Sequence, residues 1–303
     1  MILLYHLVFP DETPRDTWNA GKLLRLSAFK KQLMWLKKHY AITSLEDYLS
    51  SFPDDSHKIA ITFDDGYQST LNQVLPFMQD HALPATFFLN SSHLEEDHLL
   101  WFVYINAVCF EKVYDQLEFD SVQHPLRTEK QCHAAWQDLI QRARDSRDPI
   151  AFSQELAARY PLPEKITRKY AGVTREQLTI LGENRLFEIG GHTHNHPYLD
   201  HLDNTLQANE IQKNKRFLEA FTKRTLRFFA YPSGFYNRNS IRAVQQAGYQ
   251  AALAVIPRSI GPDQFFEMPR TGIYSSSMTK YVLKVSGLVD LARKITTYTG
   301  KHD

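Results

Sequence analysis

The chain has 303 residues, 43% of them hydrophobic and 23% charged, and a formal charge of +1 at pH 7. That length suits one large domain or two ordinary ones, with a core able to fold without disulfide staples. So small a net charge gives no basic footprint for nucleic acid, which sets polyanion binding aside.

Only two cysteines occur, Cys109 and Cys132, too few for a thiolate metal site and best read as buried thiols of a reducing compartment. The opening Met1 to Val8 shows no basic segment and no small-residue cleavage site, and no apolar run is long enough to cross a bilayer. The expected location is the cytoplasm.

In chain order, six short apolar runs read as buried parallel strands: Ile2 to Val8, Lys58 to Phe63, Ala85 to Leu89, Phe187 to Gly190, Leu226 to Tyr231 and Ala251 to Ile256. Helical periodicity lies between them. Ser27 is an expected N-cap before Phe29, Leu33 and Leu36, and Leu71, Val74, Leu75 and Met78 form a second stripe. Ile211, Leu218 and Phe221 mark a third, and Ile241, Val244 and Ala247 a fourth, ended by Gly248. Strands alternating with helices predict a parallel α/β fold, a barrel or an open sheet.

Residues 91–182 break that alternation. They are rich in helix formers (Glu129 to Arg144, Ile150 to Arg159) and read as a helical insertion within one catalytic domain spanning 1–303, placed to rise over strand ends and shape a cleft. No internal repeat or low-complexity tract is present. Lys280 to Thr297 sets Tyr281, Val285, Leu288, Ala292 and Ile295 at helical spacing, with Lys284, Arg293 and Lys294 between them. Such a helix packs on its own core or rests on a membrane surface, and the first is the commoner use of an amphipathic face.

The chemistry concentrates at strand ends, where parallel α/β folds form their sites. Thr62-Phe63-Asp64-Asp65-Gly66-Tyr67 ends one strand. Two adjacent carboxylates ionised there are costly without a cation, although Asp-Gly is also an ordinary turn dipeptide. Gly190-Gly191-His192-Thr193-His194-Asn195-His196 ends another. His192 and His196, four apart, can point the same way, while His194 has the opposite phase and reads as supporting or exposed. Two imidazoles and one carboxylate with open positions make a recognised zinc site. Ala230-Tyr231-Pro232-Ser233-Gly234 forms a turn whose Ser233 N–H could face a cleft, and His6 ends the first strand.

At these residues the chain resembles the polysaccharide deacetylases, carbohydrate esterase family four. Thr62 to Gly66 matches that family's TFDDG motif, His192 to His196 its H-[ST]-x-x-H motif, and Ala230 to Gly234 stands where its R-x-P-Y-G motif belongs. The resemblance implies a distorted (β/α) barrel with fewer than eight regular repeats and one divalent metal, usually zinc. It implies Asp64 as general base and Asp65, His192 and His196 as metal ligands. The family's motif arginine is Ala230 here and its tyrosine Ser233; Arg270 is the candidate replacement for the arginine that orients the aspartate. No late L-x-H motif supplies a general acid. The early Tyr5-His6 and the Phe229-to-Pro232 wording are similar to the biofilm poly-N-acetylglucosamine deacetylases, which implies His6 as the acid.

The expected activity is removal of an N-acetyl group from an amino sugar in a saccharide or glycoconjugate precursor, nucleotide- or lipid-linked if the enzyme is cytoplasmic. Deformylation, O-deacetylation, a non-carbohydrate amidase and an inactive saccharide-binding module are the competing expectations.

Overall fold

The computed structural model describes residues 1–14, 24–53, 57–95, 99–146, 148–255, 257–259, 261 and 263–287. Seven strands form a closed ring: β1 (Ile2–Tyr5), β2 (Lys58–Phe63), β3 (Ala85–Leu89), β4 (Phe187–Gly191), β5 (Phe228–Ala230), β6 (Ala251–Ala254) and β7 (Met268–Gly272). Each pairs in parallel with the next in sequence, and β7 and β2 both pair with β1. The expected (β/α) barrel with fewer than eight repeats is thus the fold. A short strand, Ala41–Thr43, adds alongside the first half of β2.

Side-chain alternation along the strands divides the core in two. Ile2, Ala60, Phe88, Phe228, Leu253 and Met268 cluster together and fill the barrel. The alternate residues Leu3, Tyr5, Ile59, Ile61, Phe63 and Phe87 face the surrounding helices. Those helices include α1 (Leu26–His39), α2 (Gln68–Asp80), α3 (Asn204–Thr222) and α4 (Arg238–Gln246), which bury the predicted apolar stripes apart from the half-buried Phe221 and Ala247.

Several local expectations need correction. Ser27 lies inside the first turn of α1 and does not cap it; its hydroxyl donates to Asp11 Oδ1 at 2.7 Å, and the N-cap position is Arg25. The first strand stops at Tyr5, because Val8–Phe9 leaves the barrel to pair with Leu24–Arg25. Ile256, expected to end β6, lies outside the described residues.

Between β3 and β4 the chain builds a unit with its own apolar cluster. Helices Trp101–Phe110, Glu129–Asp145 and Pro149–Arg159 pack around Ile105, Val108, Leu139 and Leu156. An antiparallel hairpin, Gln116–Phe119 with Val122–Pro125, sits among them and was not foreseen. The last helix of the 91–182 stretch, Arg175–Glu183, behaves differently: Leu178 and Leu181 join the main core beside Phe187. Cys109 and Cys132 are both buried and unbridged.

Near the C-terminus, helix Met278–Val285 buries Tyr281 and Val285 in the main core, with the Tyr281 ring 5.9 Å from that of Trp35. Leu288, Ala292, Arg293, Lys294 and Ile295 lie outside the described residues. Among the described residues, no helix is long and apolar enough to cross a membrane.

Candidate active site

Three loops at the carboxyl ends of the barrel strands converge, and in each the backbone enters the left-handed region. Asp65 (φ +69°) and Gly66 (φ +68°) follow β2, Thr193 (φ +64°) and His196 (φ +58°) follow β4, and Ser233 (φ +53°) and Gly234 (φ +73°) follow β5. Non-glycine residues pay about 1–2 kcal/mol for that conformation, which persists where surrounding contacts dictate it. His192 and His196 therefore converge through a tight loop and not through a helical turn.

Asp65 Oδ1 lies 3.4 Å from His192 Nε2 and 3.5 Å from His196 Nε2. One donor atom from each of these three residues falls within 4.8 Å of the others, all of them buried. The supporting contacts fix which atoms face inward. His192 Nδ1 sits 2.7 Å from the Ala230 carbonyl, which holds a proton on that nitrogen and turns Nε2 toward Asp65. Asp65 Oδ1 is buried with no hydrogen-bond donor. A buried carboxylate oxygen without a donor, faced by two imidazole nitrogens, fits a divalent cation by position and by chemistry.

Asp64 stands beside this group, its Oδ2 3.8 Å from His192 Nε2. Arg270, on β7, grips it through two parallel bonds of 2.7 Å, Nη1 to Oδ1 and Nη2 to Oδ2. The guanidinium is enclosed in the barrel, 5.4 Å from the Phe88 ring, and also donates to Thr62 Oγ1.

Electrostatics separate the roles. Burial opposes ionisation of Asp64, but Arg270 and His192 outweigh it and hold the carboxyl below its usual range. Burial likewise resists ionisation of Asp65, and the surrounding histidines again win, so Asp65 is firmly anionic. Burial brings His196 down to about 4, leaving it a neutral imidazole. In His192 burial is overcome by Asp64 and Asp65, and its pKa rises. His6 is lowered by burial, with Asp65 and Asp64 acting against the shift.

Residues that sequence reasoning missed hold the loops in place. Asn214, fully buried on α3, accepts from the His192 N–H at 3.1 Å and donates to the Leu89 carbonyl at 2.9 Å. Its signal was available, since it shares a helix face with Ile211 and Leu218 and a polar residue on such a stripe is unusual. Asn90 Nδ2 donates to the carbonyls of His192 and Thr193. Glu210 clamps Asn195 through both backbone N–H and side chain. His194, read from the sequence as supporting or exposed, is the former: it is buried and bonded by Ser91 Oγ at 2.9 Å and Lys213 Nζ at 2.7 Å. Trp101, in the segment after β3, donates to the His196 carbonyl at 2.9 Å.

Above the cluster lies a cavity of about 350 Å³, open to solvent, whose lining draws on the segment behind every strand of the barrel. His6 and Leu7 follow β1, Asp64, Asp65 and Tyr67 follow β2, and His192, His196 and Tyr198 end and follow β4. Tyr231, Ser233 and Phe235 follow β5, Val255 follows β6, and Ile273 and Tyr274 follow β7. The segment after β3 supplies Phe102 and Asn106 from one helix and Trp136 and Ile140 from another. All seven residues singled out from the sequence are therefore near one another: Asp64, Asp65, His6, His192, His196 and Ser233 line the cavity, and Arg270 supports it from below.

Fold and site together define a (β/α)-barrel protein with a carboxylate–dihistidine cluster at its strand ends. The family model described as polysaccharide deacetylase matches residues 53–150 and 156–252, more than half of the chain, and the protein belongs to that family. It is 36% identical over 66 residues to the peptidoglycan-N-acetylglucosamine deacetylase of Bacillus cereus, a match covering 22% of this chain and 30% of that relative. Among solved structures, the Streptococcus pyogenes deacetylase PplD, in complex with acetate, superposes with a TM-score of 0.60 over 95% of this chain and 96% of its own at 16% identity. IcaB from Ammonifex degensii gives 0.57 over 94% of each chain at 14% identity. At those identities the likeness speaks for the fold alone.

Proposed function

We propose that the protein is a divalent-metal-dependent deacetylase that hydrolyses the N-acetyl amide of an amino sugar, with zinc as the expected ion. The observation that carries this reading is the buried Asp65–His192–His196 group, with a donor-free carboxylate oxygen at its centre and the ionised Asp64 beside it. Family membership and the deacetylase names of its relatives agree with it. Asp65, His192 and His196 would hold the cation, which supplies Lewis-acid polarisation of an acyl carbonyl and acidification of water.

The protein's own residues do the rest. Asp64, kept ionised by Arg270, accepts the proton of the attacking water as general base. The Arg270 fork fixes the carboxylate plane so that this proton is taken at a defined oxygen. The N–H of Ser233, on the left-handed turn at the cavity wall, would donate to the developing oxyanion. His6, which follows β1 at the cavity wall next to the strand that carries Asp64, would donate a proton to the departing nitrogen, because an amide nitrogen leaves poorly as an anion.

Removal of an O-acetyl group is the second reading, and one observation favours it. Burial lowers the His6 pKa, and an alkoxide leaving group needs a protonated donor less than an amine does.

The test is acetate release, with amine release measured in parallel, from N-acetylated and O-acetylated sugars before and after chelation and zinc restoration. Asp64→Asn should retain the cation yet lose turnover by about 10²- to 10⁴-fold. Loss of the cation in that variant would mean that base and ligand have been confused, and acetate release that survives complete chelation would end the proposal.

A further inference from the structure

The cavity has a shape with its own consequence for the substrate. A protein that works along the interior of a polymer needs a trough, open at two opposite ends so that the chain can run through. Here a wall residue stands behind every one of the seven strands, and the side above β3 is raised by two helices. Phe102 and Asn106, one helical turn apart, and Trp136 and Ile140, likewise one turn apart, make that raised wall.

The wall is braced across the mouth. The Trp101 ring lies 5.3 Å from Tyr198, Tyr198 lies 4.8 Å from Phe235, and the Arg144 guanidinium sits 4.2 Å from the Phe235 ring. Tyr198 belongs to the apolar cluster of the helical unit, and Phe235 packs against it. The helices after β3 are therefore joined by packing to the loops after β4 and β5, which gives that side of the mouth a packed wall. The volume of about 350 Å³ lies at the lower end of the range for small-molecule pockets, a size that suits one acylated sugar ring.

We infer that the site accepts a single terminal N-acylated sugar, seated between Trp136 and the strand-end residues, and excludes the interior residues of a polysaccharide. The inference rests on the functional reading above and narrows it. The two faces of the cup suit the two faces of a pyranose. The strand-end side carries the carboxylates and imidazoles that meet the acyl group, with the Phe102 ring 4.4 Å from that of His196, and the helical wall offers Trp136 and Ile140 to the ring's C–H face, with the buried Asn106 as its one amide. A sugar at a chain end, or one carried by a soluble or lipid-borne phosphate, presents itself in this way; an internal residue, linked on both sides, would drive its neighbours into the wall.

The experiment uses the full chain with the methyl glycoside of N-acetylglucosamine and the oligomers of two to five units. Binding is measured by calorimetry on metal-free protein, and acetate release on zinc-loaded protein. Binding and kcat/KM should each vary less than about threefold with length, since sugars beyond the first stay in water and add no contact. The acetyl groups of internal residues should survive in the oligomer products. Trp136→Ala should weaken binding by about tenfold equally at every length, while Trp136→Phe, which keeps a ring and guards against misfolding, should restore most of it.

A tenfold or greater rise in either quantity from one unit to five, or deacetylated internal residues, overturns the inference and leaves the deacetylase reading intact. Length-independent binding without acetate release from any member supports the inference while sinking the activity. No binding of any member overturns the inference.

Discussion

Arg270→Met would remove the cation that touches both oxygens of Asp64 at 2.7 Å inside the barrel. Unit charges about 4 Å apart attract by roughly 4 kcal/mol at an effective dielectric constant of about 20. Breaking a buried pair from one side costs about 3–5 kcal/mol, because the remaining charge keeps its desolvation penalty. The expected destabilisation of the metal-free protein at pH 7 is therefore about 3–5 kcal/mol, or about 5–8 °C in the unfolding midpoint for a chain of this size.

The pH dependence gives the sign. The folded-state pKa of Asp64 is depressed, so its pairing stabilises the protein above the unfolded value of about 3.9 and is lost as pH falls through the folded value. In the variant, burial acts with much less opposition and the carboxyl pKa rises, so protonation relieves the folded state as pH falls. The gap between variant and parent should narrow between pH 7 and about pH 4. Urea denaturation at both ends of that range, with Asp64→Asn and the double variant completing a cycle, measures it. A variant within about 1 kcal/mol of the parent at pH 7, or a gap that widens on acidification, refutes the reasoning.

Other outcomes follow from the site. The His192 pKa is raised in the absence of a cation, so zinc uptake near neutral pH should expel a proton, read as a dependence of calorimetric heat on the ionisation enthalpy of the buffer; heats that are the same in all buffers would contradict it. Asn214→Leu leaves the His192 N–H and the Leu89 carbonyl unpaired and should cost about 2–5 kcal/mol, with weaker zinc binding; an unchanged melting curve counts against the brace. If His6 is the proton donor, its lowered pKa places the alkaline fall of kcat/KM below the ordinary imidazole value near 6.5, and His6→Asn should abolish that limb; an unmoved profile removes His6 from the mechanism.

Much of the barrel is legible because its strands are short apolar runs, and Lys58–Phe63 and Ala85–Leu89 have the expected bounds. β7 is harder to see, since Met268-Pro269-Arg270-Thr271-Gly272 carries a proline and a charge. A charge sits inside a barrel only when something answers it, and Asp64, 206 positions earlier in the chain, is that partner. The hairpin shows the reverse error: Gln116–Phe119 alternates exposed and buried residues, and Asp120 and Ser121 both take positive φ in the turn, yet the surrounding helix formers outweighed that signal. Motifs at strand ends locate the reacting groups because their chemistry is dense and local. The braces are harder to read: Asn214 shows only as a polar residue on an apolar stripe, and Asn90 and Trp101 act through backbone groups distant in sequence that no residue-type pattern encodes.

The left-handed turns have an evolutionary price as well as a chemical use. Asp65, Thr193, His196 and Ser233 each occupy a backbone region that glycine enters freely. A mutant library sorted for heat resistance, with no demand for turnover, should enrich glycine at Asp65, His196 and Ser233, each exchange relaxing the chain by up to about 1 kcal/mol, whereas at Thr193 the lost acceptor of the buried His196 N–H offsets the gain. The survivors would be hardier barrels that had lost their chemistry loop by loop, so stability screening of this scaffold needs an activity gate from its first round.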